Sequence, residues 1–161
     1  MFLDSSKDFA DRELFPYFKE MDENPAYHKD GQVYVHKQVE TMMKKGGELG
    51  FISSSFDYEV GGLQIPLMAS TASSYILDAA NNHLPGYAGL TQGAAELIIH
   101  FADKDLLDKY VPDMLSGNWG GTMCLTEPQA GSSLSDIVTK AIPSEMGYYN
   151  ISGQKLSLIH I

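Results

Sequence analysis

The chain has 161 residues, 43% of them apolar, and a formal net charge of −10 at neutral pH. That is enough apolar material for one buried core, in one domain or in a domain plus part of another. Arg12 is the only arginine and the lysines are scattered, which argues against a nucleic-acid partner, because phosphate binding needs clustered cations. Cys124 is the only cysteine, so no disulfide forms within the chain, in keeping with a reducing compartment. No charged-then-apolar leader opens the sequence and no apolar run is long enough to span a bilayer. The expectation is a soluble, cytoplasmic protein, or a mitochondrial-matrix one if eukaryotic.

The first two-thirds of the chain reads as helical. Ala10, Leu14, Tyr17, Phe18 and Met21 share one helical face, with Asp4 or Ser5 as cap and Pro16 as a kink or interruption. Val35, Val39 and Met42 form a weaker stripe, ended at Gly46-Gly47. The stretch "GFISSSFDYEVGGLQIP" is rich in turn residues and long for a structureless loop, a length often associated with function. Helical spacing returns at Met68, Ala72, Tyr75, Ile76 and Ala79, and again at Leu90, Ala94, Leu97, Ile98 and Phe101. A last helix is expected from Lys104 to Ser116, broken or restarted at Pro112 and ended by Gly117.

Near Gly117–Asn118 the period changes from helix to strand. Strands are expected at Gly121–Thr126, Ile137–Ile142 and Tyr148–Ser152, the last two joined by the turn "PSEMG". Three strands are too few to close a sheet core. The fold class is therefore α+β. Residues 1–117 form an all-α helical bundle domain, and residues 118–155 are the start of a β-barrel or sandwich domain. The final residues, "LSLIHI", break the alternation and resemble the translated transposon end used to prepare sequencing libraries. Residues 156–161 are thus expected to be read-through of an adapter, the chain to be a fragment, and Met1 to be a possible internal residue. A truncated apolar strand is the other reading of that end.

A helical bundle, a switch to strands and "CLTEPQAGSS" at the first strand end together resemble the acyl-CoA dehydrogenase family. "FADRELFPYFKEMD" resembles its first helix, and "EVGGLQIP" its Tyr-Gly-Gly turn. "HFADKDLLDKYVPDMLSGNWGGTMCLTEPQAGSSL" resembles the run through its signature, and "YYNISGQK" the strand that follows. "GLTQGAAELI" with "GNWGGTMCLTEPQAG" is similar to the branch acting on 3-methylmercaptopropionyl-CoA and related thioesters.

The resemblance implies an enzyme that carries FAD and dehydrogenates an acyl-CoA between Cα and Cβ. A carboxylate removes the α-proton, a hydride leaves Cβ for the flavin, and hydrogen bonds polarise the thioester carbonyl. It implies electron-transfer flavoprotein or a similar acceptor, a homo-oligomer at full length, and a C-terminal helical domain, bearing the base, that is missing here. No catalytic residue is therefore expected in this chain, which is expected to be inactive alone. By the same resemblance Met123, Leu125, Thr126, Gly131 and Ser132 bind the flavin, and Ser132 also meets the acyl-CoA. Leu125 would present backbone groups to the ring's pyrimidine edge, and Thr126 a hydroxyl and an N–H near N5. Gly131 would let the backbone come close, and Ser132 would donate a short hydroxyl bond. The family's Asp after that Ser is Ser133 here, which forms a similar but weaker turn.

Other residues carry plainer readings. Glu127, followed by Pro128, reads as structural rather than as a base, and Cys124 as core. His28, His36, His83 and His100 lack metal-ligand spacing and read as surface or satisfied core. Tyr87, Thr91 and Gln92 read as the start of a helix, packing against its neighbours or lining the acyl pocket. Asp103, Asp105 and Asp108 read as a solvated face. An acyl-CoA oxidase-like flavoprotein and a non-catalytic helical interaction module remain alternatives.

Overall fold

The computed structural model describes residues 1–156, and its contacts divide the chain into two units, Met1–Thr122 and Met123–Ile161. The expected adapter-derived end falls outside the described residues from 157 onward.

The first unit is helical. Helix α1 (Phe2–Phe9) runs into a π-helical turn at Ala10–Leu14, a 3₁₀ turn at Phe15–Tyr17 and helix α2 (Phe18–Glu23). The interruption at Pro16 is where the sequence places it. Pro16 has no N–H for the carbonyl of residue 12, and its ring crowds that turn. The π turn absorbs the misfit, with the Phe15 N–H bonding back to the Ala10 carbonyl. In the 3₁₀ turn that follows, the Phe18 N–H bonds to the Phe15 carbonyl rather than to that of Leu14, and the buried Asn81 side chain donates to the Leu14 carbonyl at 3.1 Å. Helix α1 starts earlier than the expected caps Asp4 and Ser5, which lie inside its first turns.

A short antiparallel hairpin follows, β1 (Tyr27–Lys29) with β2 (Gln32–Tyr34), which the helical periodicity does not announce. Asp30 and Gly31 both have positive φ and make the two-residue turn, so the Asp-Gly pair was the available signal. Helix α3 (Gln38–Glu48) buries Val39, Met42 and Met43, while Val35 lies outside it and is exposed. The helix does not end at Gly46-Gly47 but continues through them. Termination comes at Gly50, whose φ of +75° is left-handed. Its N–H bonds to the Gly47 carbonyl and that of Phe51 to the Gly46 carbonyl, a Schellman closure.

The long Gly- and Ser-rich stretch is not structureless. A 3₁₀ turn at Tyr58–Val60 and backbone bonds from Gly62 to Asp57, Leu63 to Ser53, Gln64 to Phe56 and Ile65 to Ser54 fold it on itself. Ile52 and Phe56 reach the core from it.

Helices α4 (Leu67–Ala80), α5 (His83–Phe101) and α6 (Lys104–Leu115) complete the bundle. Their buried faces differ from the most apolar ones. In α4 the core side is Ser70, Ser73 and Leu77, while Met68 and Tyr75 are exposed; in α5 it is Thr91 and Ala95, while Leu90, Leu97 and Phe101 are exposed. Small residues win because helices approach closely there: Ser73 Oγ meets Ser6 Oγ at 2.7 Å where α4 packs on α1. Helix α6 passes unbroken through Pro112, whose missing N–H falls on the exposed side, and Gly117 ends it at φ +77°. Asp103 is the N-cap of α6, accepting the Leu106 N–H, and Asp108 pairs with Lys104. Among the described residues no helix is long and apolar enough to cross a membrane.

In the second unit β3 (Lys140–Pro143) pairs antiparallel with β4 (Tyr149–Ser152), in a register that sets Ala141 against Ile151. This is the ribbon the sequence predicts, slightly shortened. The first expected strand, Gly121–Thr126, is absent: those residues carry no ladder. A strand exists through its neighbour. Along this stretch the described bonds are isolated ones, made by Gly121, by the Leu125 carbonyl and by the Thr126 carbonyl.

Candidate functional site

The helical unit delivers the chain to the candidate site through Gly121. Its N–H donates to Thr91 Oγ1 at 3.0 Å, and the Thr91 hydroxyl in turn donates to the Tyr87 carbonyl at 2.7 Å. A Cβ on Gly121 would lie 2.6 Å from the Ala94 methyl, so glycine is required for the approach. Thr91 is fully buried within α5, well inside the helix rather than at its start, and Gln92 binds Ser55 Oγ at 3.1 Å. Packing, the first of the two readings for Thr91, is what these contacts show.

Beyond Thr122 the candidate residues sit on an extended segment and one tight turn. Met123 is 55% exposed and Leu125 43% exposed. Cys124, expected in the core, is exposed as well. It has no opposing sheet to bury it, because the strand that would have sorted alternate residues inward did not form. Neither the Leu125 nor the Thr126 N–H has a partner among the described residues.

The turn itself is closed on both sides. The Glu127 N–H bonds to the Ala130 carbonyl at 2.9 Å and the Ala130 N–H returns to the Glu127 carbonyl at 3.1 Å. Thr126 and Gly131 therefore sit on the two legs of one turn. Gly131 and Ser132 are exposed, and a Cβ on Gly131 would meet no atom within 4 Å, so the backbone there is open to approach. Ser133, where the family's Asp is absent, leads into a 3₁₀ turn at Leu134–Asp136, closed by the Asp136 N–H on the Ser133 carbonyl.

Behind the turn lies Glu127, 2% exposed. Its carboxylate pairs with Lys155 Nζ at 2.8 Å and accepts the Val138 N–H at 2.8 Å, the Thr139 N–H at 3.2 Å and Gln129 Nε2 at 2.8 Å. The Lys155 ammonium, with the Thr139 and Val138 bonds after it, holds the carboxyl far below the usual carboxylate range. Every lone pair has a donor, so the group is a fixed anion and not a base awaiting a proton. This matches the structural reading of Glu127. Lys155 also reaches the Leu125 carbonyl at 3.2 Å, and the Leu156 N–H reaches the Thr126 carbonyl at 2.8 Å. Sequence reasoning missed Lys155, Val138 and Thr139, whose distance along the chain leaves no local signal.

A family model described as "Acyl-CoA dehydrogenase, N-terminal domain" matches residues 1–118. The chain belongs to the acyl-CoA dehydrogenase family. It is 32% identical over 128 residues to the 3-methylmercaptopropionyl-CoA dehydrogenase of Ruegeria pomeroyi, a match spanning 80% of this chain and 22% of that protein. The crystal structure of an acyl-CoA dehydrogenase from Geobacillus kaustophilus superposes with a TM-score of 0.75 at 25% identity, covering 96% of this chain and 38% of that one. An acyl-CoA dehydrogenase from Bacillus anthracis, solved in complex with FAD, shares the fold with a TM-score of 0.73 at 23% identity, over 96% of this chain and 25% of that one. The chain thus spans only about a fifth of the Ruegeria dehydrogenase. The expected fold class, a helical acyl-CoA dehydrogenase domain followed by the beginning of a β domain, is the one found.

His36, one of the histidines read as surface or satisfied core, is bonded on both ring nitrogens. Nε2 lies 3.1 Å from Glu20 Oε1, and Nδ1 accepts the Gln38 N–H at 3.2 Å at the start of α3.

Proposed function

We propose that this chain supplies the helical domain and the first β-domain strands of a FAD-dependent acyl-CoA dehydrogenase, which oxidises the Cα–Cβ bond of an acyl-CoA thioester. Membership of the family supports the reading, and so does the FAD in the Bacillus anthracis relative. The observation that carries it is the TEPQAG turn: a closed, polar-anchored turn whose outer face is open and bordered by exposed apolar side chains.

The residues present fit a flavin. Met123 and Leu125 offer apolar surface to a flat ring, and the N–H groups of Leu125 and Thr126 are donors for its polar edge. Thr126 adds a hydroxyl on a stiff, β-branched side chain. Gly131 admits the cofactor close to the backbone, and Ser132 offers a hydroxyl to both cofactor and acyl-CoA. Bound FAD would supply the hydride acceptor for the β-carbon. This chain's part is to bind and orient. Glu127 is fully engaged and is not the base; by resemblance to the family, the base is carried by a C-terminal helical domain. Electron-transfer flavoprotein or a similar acceptor, and assembly into a homo-oligomer, complete the proposal for the whole enzyme.

The test is a full-length polypeptide purified with its chromophore. It should be yellow and bleach on addition of an acyl-CoA. Thr126→Val should shift the flavin spectrum and slow bleaching. A colourless protein that stays so with added FAD would refute the reading. Residues 1–155 alone should show no acyl-CoA-dependent dye reduction, and turnover by that fragment would refute the assignment of the base elsewhere.

A further inference from the structure

Where it is described, the second unit buries little apolar surface. Among its described residues only Ala130 and Glu127 are buried, at 1% and 2% exposure. A two-stranded ribbon without a core is marginal in water. The order of the TEPQAG turn must therefore come from polar contacts, and these converge on one carboxylate.

We propose that Glu127 is the positioning residue of the candidate flavin edge. Its carboxylate braces the turn internally through Gln129 and ties it to two other stretches, Val138–Thr139 ahead of β3 and Lys155 beyond β4. Lys155 then passes the restraint to the residues that matter. The same ammonium that sits 2.8 Å from Glu127 Oε1 sits 3.2 Å from the Leu125 carbonyl, and the next N–H, from Leu156, takes the Thr126 carbonyl at 2.8 Å. Fixing the Leu125 carbonyl sets the peptide plane that carries the Thr126 N–H, and fixing the Thr126 carbonyl sets the next plane, so the backbone on either side of Thr126 is held in one direction.

An ion pair between a buried, fully hydrogen-bonded carboxylate and a partly exposed lysine is weak evidence for stability but well suited to holding one geometry. Replacing it by apolar side chains would keep the turn covered and lose the direction. Preorganisation of this kind spares a ligand the cost of ordering the loop. The proposal rests on the flavin reading for its purpose, though not for its geometry.

The experiment uses the 161-residue chain without cofactor, with backbone amides followed by NMR in wild type, Glu127→Gln, Glu127→Asp and Lys155→Met. In Glu127→Gln the amides of Leu125 and Thr126 should move more than those at the Glu145–Gly147 ribbon tip, and Val138 and Thr139 should exchange about tenfold faster or more. Lys155→Met should move Leu125 and Thr126 while Val138 stays bonded, and Glu127→Asp should restore part of the wild-type pattern. In wild type the Val138 and Thr139 amide shifts should stay flat through the ordinary carboxylate range.

Unmoved Leu125 and Thr126 signals in both Glu127→Gln and Lys155→Met would overturn the proposal, as would equal shifts across the whole unit in Lys155→Met. If Glu127→Gln unfolds the ribbon outright, Lys155→Met decides alone. FAD added to wild type in a separate titration tests the other reading. Absence of any change at Leu125 and Thr126 there would count against flavin binding by this chain and leave the clamp standing.

Discussion

Gly47 and Ser116 stand so close that a Cβ on Gly47 would lie 2.1 Å from the Ser116 carbonyl oxygen. The approach is reciprocal, because a Cβ on Gly117 would lie 2.0 Å from the Met43 carbonyl. Here the last two turns of α3 meet the end of α6, backbone against backbone. Gly46-Gly47 is therefore a contact inside a helix and not a helix stop. Gly47→Ala gains helix propensity but must push a backbone aside, so it should destabilise by roughly 1–3 kcal/mol. Gly89 in α5 is the control: a Cβ there meets nothing within 4 Å, and Gly89→Ala should stabilise the chain by about 0.5–1 kcal/mol. Urea unfolding of both variants checks the pair; Gly47→Ala at or above wild-type stability would contradict the close approach.

Asn81 links two breaks in the helical unit. It donates to the Leu14 carbonyl, whose helical donor the 3₁₀ turn diverts, and accepts the His83 N–H at 3.1 Å where α5 begins. Asn81→Ala leaves both groups without partners in a buried site and should cost about 2–4 kcal/mol. Asn81→Asp keeps the acceptor but turns a carboxylate toward the Leu14 oxygen, so at neutral pH it should be the worse of the two. Thermal melts of the two variants read the order.

Thr91→Val removes the acceptor for the Gly121 N–H at constant shape. It should destabilise the helical unit by about 1–3 kcal/mol, and Thr91→Ser should recover most of the loss. Denaturant midpoints measure the loss, and amide exchange at Gly121 should rise in the valine variant alone. A protected Gly121 amide in Thr91→Val would show that the hydroxyl is not its partner.

Acid should loosen the TEPQAG turn. The Glu127 carboxyl is depressed in the folded chain, so its contribution is fully present above the ordinary carboxylate value of 4.5. As pH falls below that value the unfolded state takes up a proton that the folded state refuses, and stability declines towards the folded-state value. Amide signals from β3 and β4 should therefore weaken in acid, and Glu127→Gln should flatten this dependence. A ribbon that gains order as pH falls would reverse the sign and exclude the clamp.

The sequence by itself determined the helices, the interruption at Pro16, the left-handed stop at Gly117 and the β3–β4 hairpin. These follow from local causes: apolar spacing, a missing N–H, a residue free to take positive φ. The family was legible for the same kind of reason, since its signature is a run of adjacent residues from Thr126 to Ser132.

Only the tertiary structure decided which helix faces are inside. Ser73 and Thr91 are buried while Tyr75 and Leu97 are not, because close helix packing selects small side chains over apolar ones. Residues 121–126 failed to form a strand because a strand needs a neighbour that composition cannot supply. Glu127 became a clamp through Val138, Thr139 and Lys155, residues distant in sequence and brought within hydrogen-bonding distance by the fold. A carboxylate's role is set by the donors around it, and those donors exist only once the chain has folded.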